Sequence, residues 1–330
     1  MKDRIELLTI LRQYMLSDEP QWLKAKQRAS VQNPWFIPTF VDSAITSICD
    51  AFLDSADLVR FQQRFQRTTS SEKTIGVVAA GNIPLVGFHD FLTVFLSPHR
   101  LKLKLSSKDD ILLRHLIEQL YTWDSSIQNR IEIADMLRSC DAYIATGSNQ
   151  SSTYFEQYFG KYPHIIRKHR TSIAILDGSE SPSQLDALAD DVYMYFGLGC
   201  RNVTHLYTPH GYSFEPLLQH FKKYDELKDH NKYRNNYDYN LALYILNGQY
   251  YMSNESILMV EHTSIFSPPS VLHYSYYQDS TELENYLMTQ KGQLQGIVSS
   301  NHIPFGASQK PSLFDFADGV DTIDFMNRLS

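Results

Sequence analysis

Apolar positions change their period several times along the chain, and each change marks an element. In the first seventy residues Ile5, Leu8, Leu11 and Met15 recur at near-helical spacing, and the stretch from Phe40 to Leu53 is largely apolar. Recurrence every three to four residues predicts helices with one buried face. Arg60, Arg64 and Arg67 give the next segment a solvated side. At Lys73 the pattern shifts: TIGVVAAGNIP joins a β-prone run to a glycine-containing turn, Leu85 to Phe95 reads as a helix, and Leu101 to Leu105 as a short strand before a helix from Asp109 to Leu120. That order predicts a βαβ unit. Helical spacing is expected again from Ile127 to Leu137, followed by AYIAT at 142–146 as a buried strand and GSNQSS at 147–152 as its turn into a helix. Two successive strand-to-turn junctions point to an α/β layer of nucleotide-binding type.

SIAILDG at 172–178 repeats the strand-and-turn pattern, and Ser181 with Pro182 supplies a helix start. Leu185, Leu188, Val192 and Phe196 mark that helix's buried side, and Gly197 and Gly199 are expected to end it and release Cys200 into a constrained turn. A second α/β lobe follows, with RNVTHLYTP as a strand and Phe214 to Phe221 as a helix. YDELKDHNKYRNNYDYN reads as a loop or helix start, and YYMSNESILMVEHTSIF and VLHYSYY as strand-like stretches separated by a Pro-Pro turn. The second of these is expected near a sheet edge. These divisions give a helical region at 1–72, a dinucleotide-binding lobe at 73–173, a catalytic lobe with oligomerisation strands at 174–310, and a tail at 311–330.

Composition narrows the class. The 330 residues are 43% hydrophobic and 20% charged, which suits a packed chain rather than a disordered one. A formal charge of -7 argues against general attraction to nucleic acid or an anionic membrane. The N-terminal stretch mixes charges into its apolar positions, and no run reaches eighteen apolar residues, so neither a signal peptide nor a membrane span is expected. Three cysteines without a CxxC pair favour a reducing cytoplasm over a disulfide framework.

Candidate chemistry centres on Cys200, which follows two permissive glycines in FGLGCRNV. A thiolate there would serve covalent catalysis, whereas the plainer reading is a buried small hydrophobe. Cys49 and Cys140 read as packing residues. In AAGNIP at 79–84, the backbone after Gly81 is suited to a phosphate and Asn82 to a developing oxyanion, against the alternative of an Asn-capped tight turn. Gly147 and Ser148 in ATGSN offer a second phosphate-facing turn or a helix cap, without the GxGxxG or GxxxxGK[ST] fingerprints. Lys104 would reach a ribose hydroxyl or 2′-phosphate, or face solvent. His164, Arg167, Lys168, His169 and Arg170 form a local basic cluster, read either as a phosphate contact or as a charged surface turn. Asp315, Asp318, Asp321 and Asp324 recur every three residues but match no metal-binding pattern; capping or solvation is the default, and no metal is assigned.

Six words, AAGNIPLVG, KLSSKD, ATGSN, YFGKYPHIIRKHR, YFGLGCRNVTHLY and SQKPSLFDFADG, resemble the acyl-CoA reductase family that includes the fatty acyl-CoA reductase of bacterial luminescence, within the aldehyde dehydrogenase superfamily. The resemblance runs from about residue 73 to the C-terminus. It implies an aldehyde-dehydrogenase-like, two-lobed α/β architecture with a parallel-sheet cofactor lobe, a catalytic lobe and an extension used in dimerisation. It also implies Cys200 as nucleophile, Asn82 as oxyanion donor, Gly81, Lys104, Gly147 and Ser148 about the cofactor, and NADPH, with NADH as the alternative. The reaction implied is attack on an acyl-CoA thioester, release of coenzyme A, and reduction of the acyl-enzyme to an aldehyde. A homodimer is expected, through strand-like residues between Tyr250 and His262 and the C-terminal tail, and an acyl-activating or acyl-carrier partner is compatible with this chemistry.

Two words depart from ordinary aldehyde dehydrogenases. The region that corresponds by this resemblance to their glutamate-glycine-glycine word is ILDG at 175–178, in which the usual carboxylate that activates deacylating water is not evident. SIFSP at 264–268 resembles their EIFGP, with Ser264 in place of a ribose-contacting glutamate. The chain is also shorter than many relatives, with part of the missing length before Lys73. A noncatalytic acyl-CoA or acyl-carrier-protein binding module and a cysteine-dependent thioesterase therefore remain as alternative readings.

Overall fold

Prolines at first helical positions and a capping aspartate turn the N-terminal spacing into four helices: α1 (Arg4–Met15), α2 (Pro20–Gln32), α3 (Pro38–Phe52) and α4 (Ser55–Gln63). The computed structural model describes residues 3–65 and 72–329, so Arg67 lies outside the described residues. The chain continues through β1 (Thr74–Val78), α5 (Phe88–Leu96), β2 (Arg100–Lys104), α6 (Ile111–Trp123), β3 (Ile131–Ile133), β4 (Ala142–Thr146), α7 (Asn149–Phe159) and β5 (His164–Arg167). Then come β6 (Thr171–Ile175), α8 (Pro182–Tyr193), β7 (Val203–Pro209), α9 (Phe214–His220), α10 (Asn231–Leu246), β8 (Met252–Ser253), β9 (Leu258–Glu261), β10 (Val271–Tyr277), α11 (Ser280–Thr289), β11 (Leu294–Val298) and α12 (Thr322–Asn327).

Residues 1–169 and 311–330 form one unit, and residues 170–310 a second. The first is built on a parallel sheet of order β3-β2-β1-β4-β5. Its core joins Leu7, Leu11 and Trp22 of the N-terminal helices to Ile75, Val77, Phe91 and Leu116. The last twenty residues belong to this unit rather than standing apart as a tail, since Leu313, Ile323 and Met326 are buried in the same core. Asp321 caps α12 by accepting from Ile323 and Asp324 amides and pairs with Arg64, in line with the capping reading of that aspartate.

The helix expected from Ile127 to Leu137 is absent. A short 3-10 turn at Ser125–Asn129, opened by the Asp124 carboxylate, leads into β3, whose Ile131 and Ile133 pair with Leu101 and Leu103. Pairing on a sheet edge satisfies the same apolar positions that spacing assigned to a helix.

The second unit's sheet runs β11-β6-β7-β10-β9-β8, parallel except for β8 against β9. Its first strand explains why the division falls after His169 and not after 173: Thr171–Ile175 pairs with β7 and β11, so a cut there would split a strand. VLHYSYY is an interior strand between β7 and β10's other neighbour β9, not an edge; Val271, Leu272 and Tyr274 are buried, and β8 takes the edge. Among the described residues no helix is long and apolar enough to cross a membrane.

Candidate active site

In the first unit, strand order reverses between β1 and β4, and an open parallel sheet offers a ligand crevice outside the carboxyl ends of its strands at such a point. Gly81, Asn82, Lys104, Gly147 and Ser148 all follow or close strands at that edge. Lys104 is the last residue of β2, register partner of Val78, and its side chain is exposed. Its carbonyl accepts the Ala79 amide at 3.0 Å, tying the ends of β1 and β2 together. Gly81 and Gly147 are close-packed: a Cβ would sit 2.5 Å from Ser106 Oγ at the first, and 2.9 Å from Ser151 Cβ and the Phe155 ring at the second. Asn82 is exposed. Ser148 is the N-cap of α7, its hydroxyl accepting the Ser151 amide at 3.2 Å, so the helix-cap reading holds for its side chain. A cation and turn amides at this edge suit an anionic dinucleotide.

A buried carboxyl fixes the turn that bears Asn82. Asp109 Oδ2 accepts the amide of Leu85 at 2.7 Å, and Leu85 is left-handed, with φ 56°. Burial pushes Asp109 up to about 7. The N-terminal helices hold the facing loop: Gln32 donates to the Ser107 carbonyl and to Asp110, and Asn33 donates to the Lys108 carbonyl.

The basic cluster at 164–170 is not a uniform surface turn. Arg167, on β5, is buried; it pairs with Asp90 of α5 and donates to Thr322 Oγ1 at 3.1 Å. One of the cluster's cations is therefore a core strut that ties the C-terminal helix to the sheet.

In the second unit Cys200 sits on a turn of unusual construction. Helix α8 starts in a full capping box between Ser181 and Gln184 and ends at Tyr193, earlier than its glycines predict. Tyr195, Phe196 and Gly197 follow with φ of 55°, 57° and 73°, a left-handed arch. Two buried aromatics in that conformation cost roughly 1–2 kcal/mol each, so their packing and hydrogen bonds must offset it. Asn202, fully buried, closes the turn: its Oδ1 accepts the Gly199 amide at 2.8 Å and its Nδ2 donates to the Met194 carbonyl at 2.8 Å. Ser172 Oγ donates to the Cys200 carbonyl at 3.1 Å. Cys200 is half-buried, while Cys49 and Cys140 are buried, with burial pushing Cys49 up to about 12 and Cys140 upward.

The ILDG word opens on Ile175, the last residue of β6. The neighbouring carboxylates serve their own turn: Asp177 accepts from the Ser179 amide and hydroxyl, and Glu180 from the Asp177 amide. Ser264 spends its hydroxyl on the Phe266 backbone at 3.0 and 3.1 Å. Its carbonyl accepts Nδ1–H of His205 and of His273, and its amide donates to His262 Nδ1. Burial pushes both His205 and His273 down to about 4, so both are neutral with the proton on Nδ1.

The acyl-CoA reductase (LuxC) family model matches residues 5–212, close to two thirds of the chain. The chain belongs to the acyl-CoA reductase (LuxC) family. Because the match starts at residue 5, the likeness includes the N-terminal helices, well before the residue 73 expected from the motifs. No curated protein matches the chain in sequence. Among solved structures, aldehyde dehydrogenase 21 from Physcomitrella patens, in complex with the reaction product succinate, is similar with a TM-score of 0.67 at 12% identity, over 90% of this chain and 73% of that one. The Mycobacterium tuberculosis aldehyde dehydrogenase complexed with NAD+ is similar with a TM-score of 0.64 at 14% identity, over 93% and 74%. The fold of this LuxC-family chain is thus that of the aldehyde dehydrogenases.

Sequence reading of this acyl-CoA reductase relative missed Asp109, Asn202 and the histidines about Ser264. Asn202 carried a signal in its place two residues after Cys200. The histidines carried none, since His205, His262 and His273 lie on separate strands and strand ends.

Proposed function

We propose that this chain reduces an acyl-CoA thioester to an aldehyde with NADPH, through an acyl-enzyme on Cys200. The observation that carries the reading is the presentation of Cys200: of the three cysteines it alone is not buried, and it stands on a turn braced by Asn202 and Ser172. The Cys200 thiolate adds to the thioester carbonyl carbon, and the role that the family resemblance implies for Asn82 is to donate its side-chain amide to the resulting oxyanion. Collapse breaks the bond to coenzyme A, which leaves as a thiolate and takes up a proton, with the acyl group retained on Cys200. A reduced nicotinamide, when bound, supplies the hydride that this acyl group needs to leave as an aldehyde. Gly81, Gly147 and Ser148 would hold its phosphates.

Lys104 favours NADPH over NADH, because a cation at the end of β2 complements a 2′-phosphate where an acidic residue would instead bind a free 2′-hydroxyl. Ile175 favours reduction over hydrolysis, because an aliphatic side chain cannot activate water. The same reading includes a homodimer. Exposed Leu246 and Tyr250 precede edge strand β8, as expected for strands left for a second copy; light scattering showing only monomer would reject that part.

NADPH oxidation, aldehyde and free coenzyme A, followed together across short, medium and long acyl-CoAs in wild type and Cys200→Ala, test the proposal. Matched aldehyde and coenzyme A, lost in a folded mutant, support it. Free acid without NADPH consumption would select the thioesterase, and binding without turnover the noncatalytic module.

A further inference from the structure

The Asn202 side chain makes hydrogen bonds through both its oxygen and its nitrogen. Helix α8 leaves its last carbonyls without intrahelical partners, and Asn202 Nδ2 reaches three carbonyl oxygens there, those of Asp191 at 3.1 Å, Val192 at 3.4 Å and Met194 at 2.8 Å. Its Oδ1 accepts the Gly199 amide, and its own amide donates to the Gly199 carbonyl at 3.1 Å. One side chain therefore grips both ends of the left-handed segment Tyr195–Phe196–Gly197: the helix end before it and the glycine after it. The helix end is itself anchored, since the Asp191 carboxylate accepts the amides of Gly306 and Ser308 at 2.6 and 3.0 Å.

We infer that Asn202 is the positioning residue for Cys200, holding closed the strained arch that fixes where the thiol stands. The inference rests on the reading of Cys200 as nucleophile. Only a side chain with an acceptor and two donors in one plane satisfies both sides of the arch. Alanine removes every side-chain contact. Aspartate keeps the shape and the Gly199 acceptor, but as a carboxylate it faces three carbonyl oxygens; protonated, it regains one donor. The Cys200 thiol and the Arg201 guanidinium precede it on the same turn, and about the arch stand the Asp191 carboxyl, raised by burial, and the hydroxyls of Tyr193 and Tyr195, both pushed up by burial and neither titrating near neutrality.

The test compares wild type, Asn202→Ala and Asn202→Asp as full-length protein. Hydrogen exchange of the segment 194–202, measured without substrate, is expected to rise at least tenfold in both variants at pH 8, with the rest of the second unit unchanged. In turnover, kcat for aldehyde formation is expected to fall at least tenfold in Asn202→Ala while KM for acyl-CoA stays within threefold. Asn202→Asp is expected to recover relative to wild type as pH falls from 8 to 5.5, and Asn202→Ala to show no such recovery. Wild-type exchange in segment 194–202, or wild-type kcat in a folded Asn202→Ala, overturns the inference; if alanine prevents folding, the same two readouts on Asn202→Asp at pH 8 decide. Should wild type itself form no aldehyde, the reductase reading falls, and hydrogen exchange alone decides whether Asn202 holds the arch.

Discussion

His205 and His273, on neighbouring strands, donate to one oxygen, the carbonyl of Ser264, at 3.0 and 2.9 Å. Two neutral imidazoles thus hold the loop at Ser264, which opens the SIFSP word. Unfolded, each ring takes up a proton near pH 6.5; folded, burial delays this to about 4. The stability linked to the neutral rings is therefore complete above pH 6.5 and lost as pH falls toward 4, by roughly 3 kcal/mol for either ring. His273→Asn, which keeps a donor near the Nδ1 position without titrating, is expected to flatten the pH dependence of urea unfolding between 6.5 and 4. A curve parallel to wild type would refute this.

Asp109 works in the opposite direction. Its carboxyl titrates near 3.8 when unfolded and at about 7 when folded, so the protonated form is the one folding favours. That contribution is complete below pH 3.8 and is lost as pH rises through 7, about 4 kcal/mol at most. Asp109→Asn keeps an acceptor for the Leu85 amide without the charge. Relative to wild type, its unfolding free energy is expected to rise between pH 4 and 8, and a pH-independent difference would contradict the assignment.

Arg167 and Asp90 make a buried pair within the first unit. Removing one partner leaves an uncompensated charge in the core, so Asp90→Ala is expected to cost about 3–5 kcal/mol in urea unfolding. Because Arg167 also donates to Thr322, limited proteolysis of this variant is expected to cut first within residues 311–330. Unchanged protection there would show that the C-terminal helix is held by its apolar contacts alone.

Asn82→Ala is expected to slow acylation by about a hundredfold, roughly 3 kcal/mol for one oxyanion donor, in rapid-quench measurement of acyl-enzyme formation. Unchanged acylation would remove Asn82 from the mechanism.

Lys104→Ala is expected to raise KM for NADPH at least tenfold while altering KM for NADH less than threefold. Equal changes in both would mean that Lys104 does not read the 2′-phosphate.

Several features were legible in the chain alone, because they depend on neighbours in sequence. The 3.6-residue spacing of Leu8, Leu11 and Met15, the Ser181–Pro182 helix start and the β-prone runs at 74–78 and 142–146 each declare an element locally. The motifs about Cys200 and Asn82 declared the family. Tertiary structure decided the rest, because the deciding contacts join distant residues. Ile131 and Ile133 became a strand only because Leu101 and Leu103 lay open for pairing. Arg167 reads as surface charge until Asp90, seventy-seven positions earlier, is folded against it. The Cys200 turn depends on Asn202 reaching back to a helix end, and the Ser264 loop on histidines from two strands. Composition and spacing report which surfaces must be buried; they carry no record of which polar group will meet a given buried partner, and that pairing builds both halves of the proposed chemistry.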